Sequence, residues 1–178
     1  MPPLNFTAVE TERLRLVPLN SKYTEDVYRE FTPAVARYMI PQPYQSKAEA
    51  EQFVSDCERA FDLGSDLELA ILEIQSGEFL GCLGVLGLNL TVPQLGIWLK
   101  ESAWGCGYGR EALQVVLTWL TGQGRHAYAL YPVDRENVSS RHMIEALGGV
   151  LDNVYSEQNS LGRIFEVCEY HLTLPSVG

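Results

Sequence analysis

The sequence predicts a mixed α/β domain, with strands and helices in the order β-α-α-β-β-β-α-β-α-β-β. Three observations lead there. Short segments alternate apolar and polar residues with the period of a strand, as in Arg13-Leu14-Arg15-Leu16-Val17 and around Leu67, Leu69 and Ile71. Two longer segments carry apolar residues at helical spacing. Clusters of glycine and proline separate them. A length of 178 residues with 46% hydrophobic residues fits one domain spanning 1–178.

Residues 13–17 read as the first strand. Residues 20–31 read as a helix stopped by Pro33, and Pro41 and Pro43 mark a loop. Ser46-Lys47-Ala48-Glu49 has the form of a capping box, in which Ser caps the Glu amide and Glu reaches back. Ala50, Phe53, Val54, Cys57 and Phe61 then share a helix face until Gly64 ends it. Residues 67–71, 79–88 and 92–99 form an antiparallel meander, with a turn at Gln75-Ser76-Gly77-Glu78. Gly105, Gly107 and Gly109 run into a helix with Leu113, Val116, Leu117 and Leu120 on one face, stopped by Gly122 and Gly124. A short strand (127–131) and a helix (137–147) ended by Gly148-Gly149 follow. Two strands, 150–155 and 163–174, close the chain.

The formal net charge is −10, from 23 acidic and 13 basic residues. That argues against nucleic acid, which requires a basic face. It suits a cationic substrate such as an amine, although acidity also serves solubility. Cys57, Cys82, Cys106 and Cys168 are scattered, with no C-x-x-C pair, and the first six residues lack the basic and apolar regions of a signal peptide. Reduced thiols in a cytoplasmic protein are the simplest reading. No apolar run approaches the ~20 residues of a membrane span. His126, His142 and His171 lack metal-ligand spacing.

The most informative stretch is Trp104-Gly105-Cys106-Gly107-Tyr108-Gly109-Arg110-Glu111-Ala112. Glycines permit a tight turn and close approach of a ligand, and the helix that follows offers unpaired N–H groups and a positive dipole end. Together they suit a pyrophosphate. The bland reading is a structural turn with helix caps. A sharper rival is the dinucleotide fingerprint, because Gly107-x-Gly109-x-x-Ala112 fits it and Asp134 lies downstream. That fingerprint needs a strand running straight into its first glycine, within a βαβ unit. Here Lys100-Glu101-Ser102-Ala103 intervene and a meander precedes. A second element, Asn137-Val138-Ser139-Ser140-Arg141, opens the next helix and reads alone as N-capping.

The two elements together, with Glu145-Ala146-Leu147-Gly148, resemble the GNAT superfamily of acyl-CoA N-acyltransferases, and within it the RimJ/RimL branch. That branch shows W-G-x-G-Y-[AG]-x-E-A-L and later N-x-x-S-x-x-x-x-E-x-L-G. The resemblance extends upstream through Thr11-Glu12-Arg13-Leu14-Arg15-Leu16, Phe79-Leu80-Gly81 and Leu95-Gly96-Ile97-Trp98-Leu99, in the same order along nearly the whole chain. It implies a mostly antiparallel central sheet flanked by helices, with one splayed pair of parallel strands, 92–99 and 127–131. It implies acetyl-CoA as cosubstrate and a primary amine, small or at a protein N-terminus, as acceptor. The strand backbone at Trp98 and Leu99 would pair with the pantetheine amides. The loop at Gly105, Cys106, Gly107 and Gly109 would hold the pyrophosphate, with Arg110 and Arg141 as phosphate cations. Asn137 would bind the pantetheine arm, and Ser140 would face the thioester sulfur. No metal is required, and a monomer or homodimer is expected. The rival readings are a catalytically silent acyl-CoA-binding module and a reductase using NAD(P).

The family's pattern is not matched everywhere. Many relatives carry Glu where Gln94 stands, and glutamine is no base. Trp104 opens the glycine motif, as is common in this branch. Gly149 replaces a usual Phe and would loosen the acceptor side. Glu166, the charged member of the set Ile164, Cys168, Tyr170, Leu172 and Leu174, is one candidate base if it is desolvated. Its alternative is an exposed strand-end carboxylate. Glu157, expected in the preceding loop, is a second candidate, against a solvated charge. Cys106 beside a helix N-terminus would be reactive, but direct transfer needs no nucleophile. Tyr38 and Tyr44 lie in the segment that covers the acceptor in this family, where they contact substrate or simply pack the loop.

Overall fold

A computed structural model describes residues 5–174; the N-terminal residues Met1 to Leu4, used above in reading the leader, lie outside them. The strands are β1 (Val9–Glu10), β2 (Leu14–Pro18), β3 (Leu67–Glu73), β4 (Phe79–Leu86), β5 (Gln94–Leu99), β6 (Tyr128–Asp134), β7 (Val150–Gln158) and β8 (Ile164–Thr173). The helices are α1 (Thr24–Glu30), α2 (Lys47–Leu63), α3 (Tyr108–Gln123) and α4 (Val138–Ala146). The strands form one sheet in the order β1-β2-β3-β4-β5-β6-β8-β7. Every neighbouring pair is antiparallel except β5 and β6.

Strand alternation gives the sheet two apolar faces. Leu67, Leu69 and Ile71 of β3, Leu83 and Val85 of β4 and Leu95 of β5 pack in one cluster with Leu113, Val116 and Leu120 of α3. Each is fully buried, a gain of roughly 1.5–3 kcal/mol per side chain. Ala70, Cys82 and Trp98 belong to the other face and pack with Val27 of α1 and Val54 of α2.

The parallel pair β5–β6 meets at one register point, Gln94 opposite Leu130, where the Leu130 N–H donates to the Pro93 carbonyl at 2.9 Å. Pro132, two residues on, would send its N–H the same way but has none. The ladder stops there and the strands part, while β6 stays paired with β8 from Tyr128 to Asp134. Pro132 is thus a proline at an open strand edge in mid-sheet, where a missing donor costs nothing.

The expected helix over 20–31 is a 3-10 turn (Ser21–Tyr23) capped by Asn20, followed by the shorter α1. At α2 the Ser46 hydroxyl accepts the Glu49 N–H at 3.4 Å, but the Glu49 carboxylate takes the N–H of Gln45, one residue further back, at 2.8 Å. Gly122 remains helical, and Gly124 alone, with φ 61°, ends α3. Glu157 lies within β7 rather than in a loop.

Candidate active site

The opening between β5 and β6 is continued by the glycine loop and by α4. Gly105 and Gly107 have φ of 73° and 81°, the left-handed region that favours glycine. Gly107 is the N-cap of α3 and no side chain caps the helix there. The first N–H groups of a 16-residue helix are therefore left for an external acceptor. Gly109 is glycine for another reason: a Cβ there would lie 3.0 Å from Met143 Sδ of α4.

The loop is held from outside by Arg13. Its Nε and Nη2 donate to Glu111 Oε2 at 2.8 and 2.6 Å, and its Nη1 donates to the Cys106 carbonyl at 3.0 Å. The guanidinium also lies 4.6 Å over the Tyr108 ring. Partial burial works to raise the Glu111 carboxyl, but the hydrogen bonds from Thr11 and Arg13 outweigh it and hold it below the usual carboxylate range. The Trp104 indole N–H ties the loop entrance to the Leu99 carbonyl at 2.8 Å.

On the other wall, Asn137 Oδ1 accepts the Ser140 N–H at 3.2 Å and caps α4. The Ser140 hydroxyl shares a 2.8 Å hydrogen bond with the hydroxyl of buried Tyr131 on β6. Burial pushes the Tyr131 phenol up to about 12, with the Ser140 hydrogen bond opposing the shift.

A cavity of about 850 Å³ joins these parts, within the size range of small-molecule sites. Of the residues singled out from the sequence, Trp98, Leu99, Gly105, Gly107, Gly109, Arg110, Asn137, Ser140 and Tyr38 line it. Its charged lining residues are Arg110 beside the loop and Arg37 beside Tyr38, with His142 on α4; no carboxylate lines it among the described residues.

Other candidates lie elsewhere. Cys106 is exposed and its thiol donates to the Trp104 carbonyl at 3.5 Å. Arg141 faces away, its Nε on the Tyr170 hydroxyl at 3.0 Å and its Nη1 on the Arg135 carbonyl at 3.2 Å. Tyr44 packs between Phe31 and Phe53, ring centroids 5.6 and 5.7 Å away, and burial pushes its phenol up. Glu166 is not desolvated: it is exposed and paired with Arg135 at 2.6 Å, because this end of β8 shows one face to solvent. Glu157 is exposed opposite Phe165. Gly149 does not widen the cavity; a Cβ there would sit 2.9 Å from the Ile144 carbonyl. Asp134 is buried and accepts the Glu136 N–H at 2.8 Å. It is therefore no ribose ligand, and the sheet is not the doubly wound one a dinucleotide site requires.

Sequence reasoning missed the roles of Arg13, Glu111 and Tyr131. The signal was present for the first two, since each belongs to a recognised segment, but nothing along the chain says that the segments meet.

Residues 13–150 match the model of the acetyltransferase (GNAT) domain family. The chain belongs to that family and is an acetyltransferase. In fold it is similar to an acetyltransferase of Salmonella typhimurium that modifies the N-terminal serine of the 50S ribosomal subunit protein L7/L12, with a TM-score of 0.81, 17% identity, and 93% of this chain and 97% of that one covered. It is also similar to spermidine N-acetyltransferase of Vibrio cholerae in complex with CoA and spermine, with a TM-score of 0.80, 16% identity, and coverage of 92% and 97%. A third match is the RimL ribosomal L7/L12 α-N-protein acetyltransferase in complex with coenzyme A, with a TM-score of 0.84, 17% identity, and coverage of 94% and 98%. No curated protein matches the chain in sequence.

Proposed function

We propose that this protein transfers the acetyl group of acetyl-CoA to a primary amine by direct attack, as a member of the RimJ/RimL-like branch. The observation that carries the reading is one cavity with an uncapped helix N-terminus and Arg110 at one end and the Ser140–Tyr131 hydroxyl pair at the other. The first end suits a pyrophosphate. Asn137 spends its oxygen on the helix cap and keeps its amide N–H groups for the pantetheine arm. Backbone N–H groups of β5, freed where β6 departs, polarise the thioester carbonyl. Ser140 returns a proton to the departing sulfur, with Tyr131 behind it.

The acceptor side favours a peptide α-amino group or a small monoamine over a polyamine. Its cationic lining, with Arg37 and no carboxylate, offers nothing to a second ammonium. The acidic residues behind the net charge of −10 lie outside the cavity wall. No helix of the described residues is long and apolar enough to cross a membrane; a cytoplasmic location, a single domain over 1–178 and a monomer or homodimer complete the proposal.

Thermal unfolding with acetyl-CoA and, separately, with NADPH tests the donor. A ligand at 100 times its Kd adds ~2.7 kcal/mol, or roughly 5–10 °C for a chain of this size. A shift with acetyl-CoA alone is expected, followed by thiol release with a serine-initiated peptide. A shift with NADPH alone would overturn the reading.

A further inference from the structure

With Gln94 unable to serve, Glu166 paired to Arg135 and Glu157 in solvent, no carboxylate expected from the sequence supplies the proton acceptor. A row across the sheet supplies one. Glu68 of β3 stands opposite Gly84 of β4, and Gly84 stands opposite Gly96 of β5. All three belong to the α1/α2 face, the face of Trp98, which lines the cavity. Gly96 is two residues past Gln94, the point at which β5 leaves β6. The row therefore runs from Glu68 to the vertex of the cleft.

Neither glycine is there for its backbone. Gly84 and Gly96 lack a positive φ, and a glycine inside a strand weakens it. Space explains both. A Cβ at Gly84 would sit 2.5 Å from Glu68 Oε2, so the carboxylate lies over that glycine, pointing along the row. A Cβ at Gly96 would meet nothing within 4 Å, and Gly96 is exposed although it lies in mid-sheet. The glycines leave an open trough between the carboxylate and the cleft.

The groups facing Glu68 are Tyr44 from the loop before α2, Cys57 from α2, Cys82 from β4 and Asp66 ahead of β3. None is a cation. No ion pair or hydrogen bond reaches its carboxylate among the described residues. Burial, with Asp66 adding to it, pushes the Glu68 carboxyl up to about 8. A carboxyl near working pH is both a competent acceptor and able to release its proton again.

We propose that Glu68 accepts, across one water in the trough over Gly84 and Gly96, the proton that the acceptor ammonium must lose. The step balances, and the inference rests on the acetyltransferase reading. The ammonium gives one proton to the Glu68 carboxylate through the water, and the freed lone pair forms the N–C bond. The C–S bond breaks with its electron pair on sulfur. The second nitrogen proton replaces the one Ser140 delivers to that sulfur, and Glu68 then releases its proton to solvent.

The test is thiol release from acetyl-CoA by a serine-initiated peptide, measured over pH 6–10 for wild type, Glu68→Gln, Glu68→Asp and Gly96→Val. In Glu68→Gln, kcat/KM is expected to fall about 100-fold near pH 7, within the usual range for a proton-transfer group. The acetyl-CoA thermal shift stays as in wild type. The deficit closes above pH 9, where a peptide α-amine, with an ordinary pKa of ~7.7–8.0, is already neutral. Glu68→Asp restores part of the rate. Gly96→Val, whose Cβ would meet nothing within 4 Å and whose methyl groups would enter the trough, falls as Glu68→Gln does. A Glu68→Gln enzyme within twofold of wild type at every pH overturns Glu68 and leaves the acetyltransferase standing. A wild type that neither shifts with acetyl-CoA nor releases thiol overturns both.

Discussion

Ser140 has one hydroxyl and one side-chain partner for it, the Tyr131 phenol. A phenol raised to about 12 by burial stays protonated throughout the working range, so the pair always holds a proton to pass to the cavity. Ser140→Ala removes the group facing the ligand, and kcat should fall about 10–100-fold with acetyl-CoA affinity retained. Tyr131→Phe leaves Ser140 in place and should cost about tenfold or less. Equal turnover in Ser140→Ala and wild type would remove this hydroxyl from the mechanism. Glu68 carries a second consequence, independent of turnover. Its folded value is raised above the ordinary carboxyl value of about 4.3, so the native state binds more protons than the unfolded chain between there and about 8. The stability it contributes is complete below about 4.3 and is lost as pH rises through 8. Glu68→Gln should therefore raise Tm at pH 8 by several degrees and leave it unchanged near pH 4, as calorimetry would show. That Asn137 and Ser140 share the cavity wall was legible in the sequence, because a spaced motif sets them together. Glu68 was not, because its meaning lies in register: only strand pairing sets it opposite two glycines. Glu166 misled for the converse reason, since alternation gives the face of a strand but not whether anything covers that end.

At the scale of elements, the open N-terminal end of α3 is held by a contact between segments 98 residues apart. Arg13 precedes β2, Glu111 lies in the first turn of α3, and Arg13 also donates to the Cys106 carbonyl. Removing it leaves the helix but frees the loop, so Arg13→Ala should raise the Kd for acetyl-CoA about tenfold and leave kcat at saturation nearly unchanged. A titration followed by thermal shift decides it. The Glu111 carboxyl is held below its ordinary value, so the clamp is complete above that value and lost as pH falls through the lowered one. Wild-type Tm should then drop on acidification through this window more steeply than that of Glu111→Gln. The longer elements were read correctly from periodicity because burial enforces it: α2, α3 and the meander each set an apolar stripe against the sheet. Short elements were not, since the 3-10 turn at Ser21–Tyr23 owes its form to the Asn20 cap. The splay of β5 from β6 entered as an implication of family resemblance, although Pro132 was a physical sign of it in the sequence.

Across the whole molecule two fields oppose each other. The chain carries −10, which would repel an anionic cosubstrate at long range, while in the proposed site Arg110 and the open end of α3 would attract it at contact. Arg110 makes no ion pair or hydrogen bond among the described residues, so its charge is uncommitted before ligand arrives. Salt screens the long-range repulsion, and it also screens an exposed contact pair, over a Debye length of ~8–10 Å at physiological strength. The two changes have opposite sign, so wild-type affinity for acetyl-CoA should vary little between 50 and 300 mM salt. Arg110→Gln deletes the charged attractive member, keeps the weaker pull of the helix end and leaves the repulsion. Its affinity should be about tenfold weaker at low salt and should recover as salt is added, the reverse of an ordinary charge-paired complex. Calorimetric titration at several salt concentrations measures this directly. An Arg110→Gln protein whose affinity falls with salt would mean that other cations hold the phosphates. Arg141 would not be the first suspect, because its guanidinium is committed to Tyr170 and the Arg135 carbonyl. Arg37, which also lines the cavity, would be.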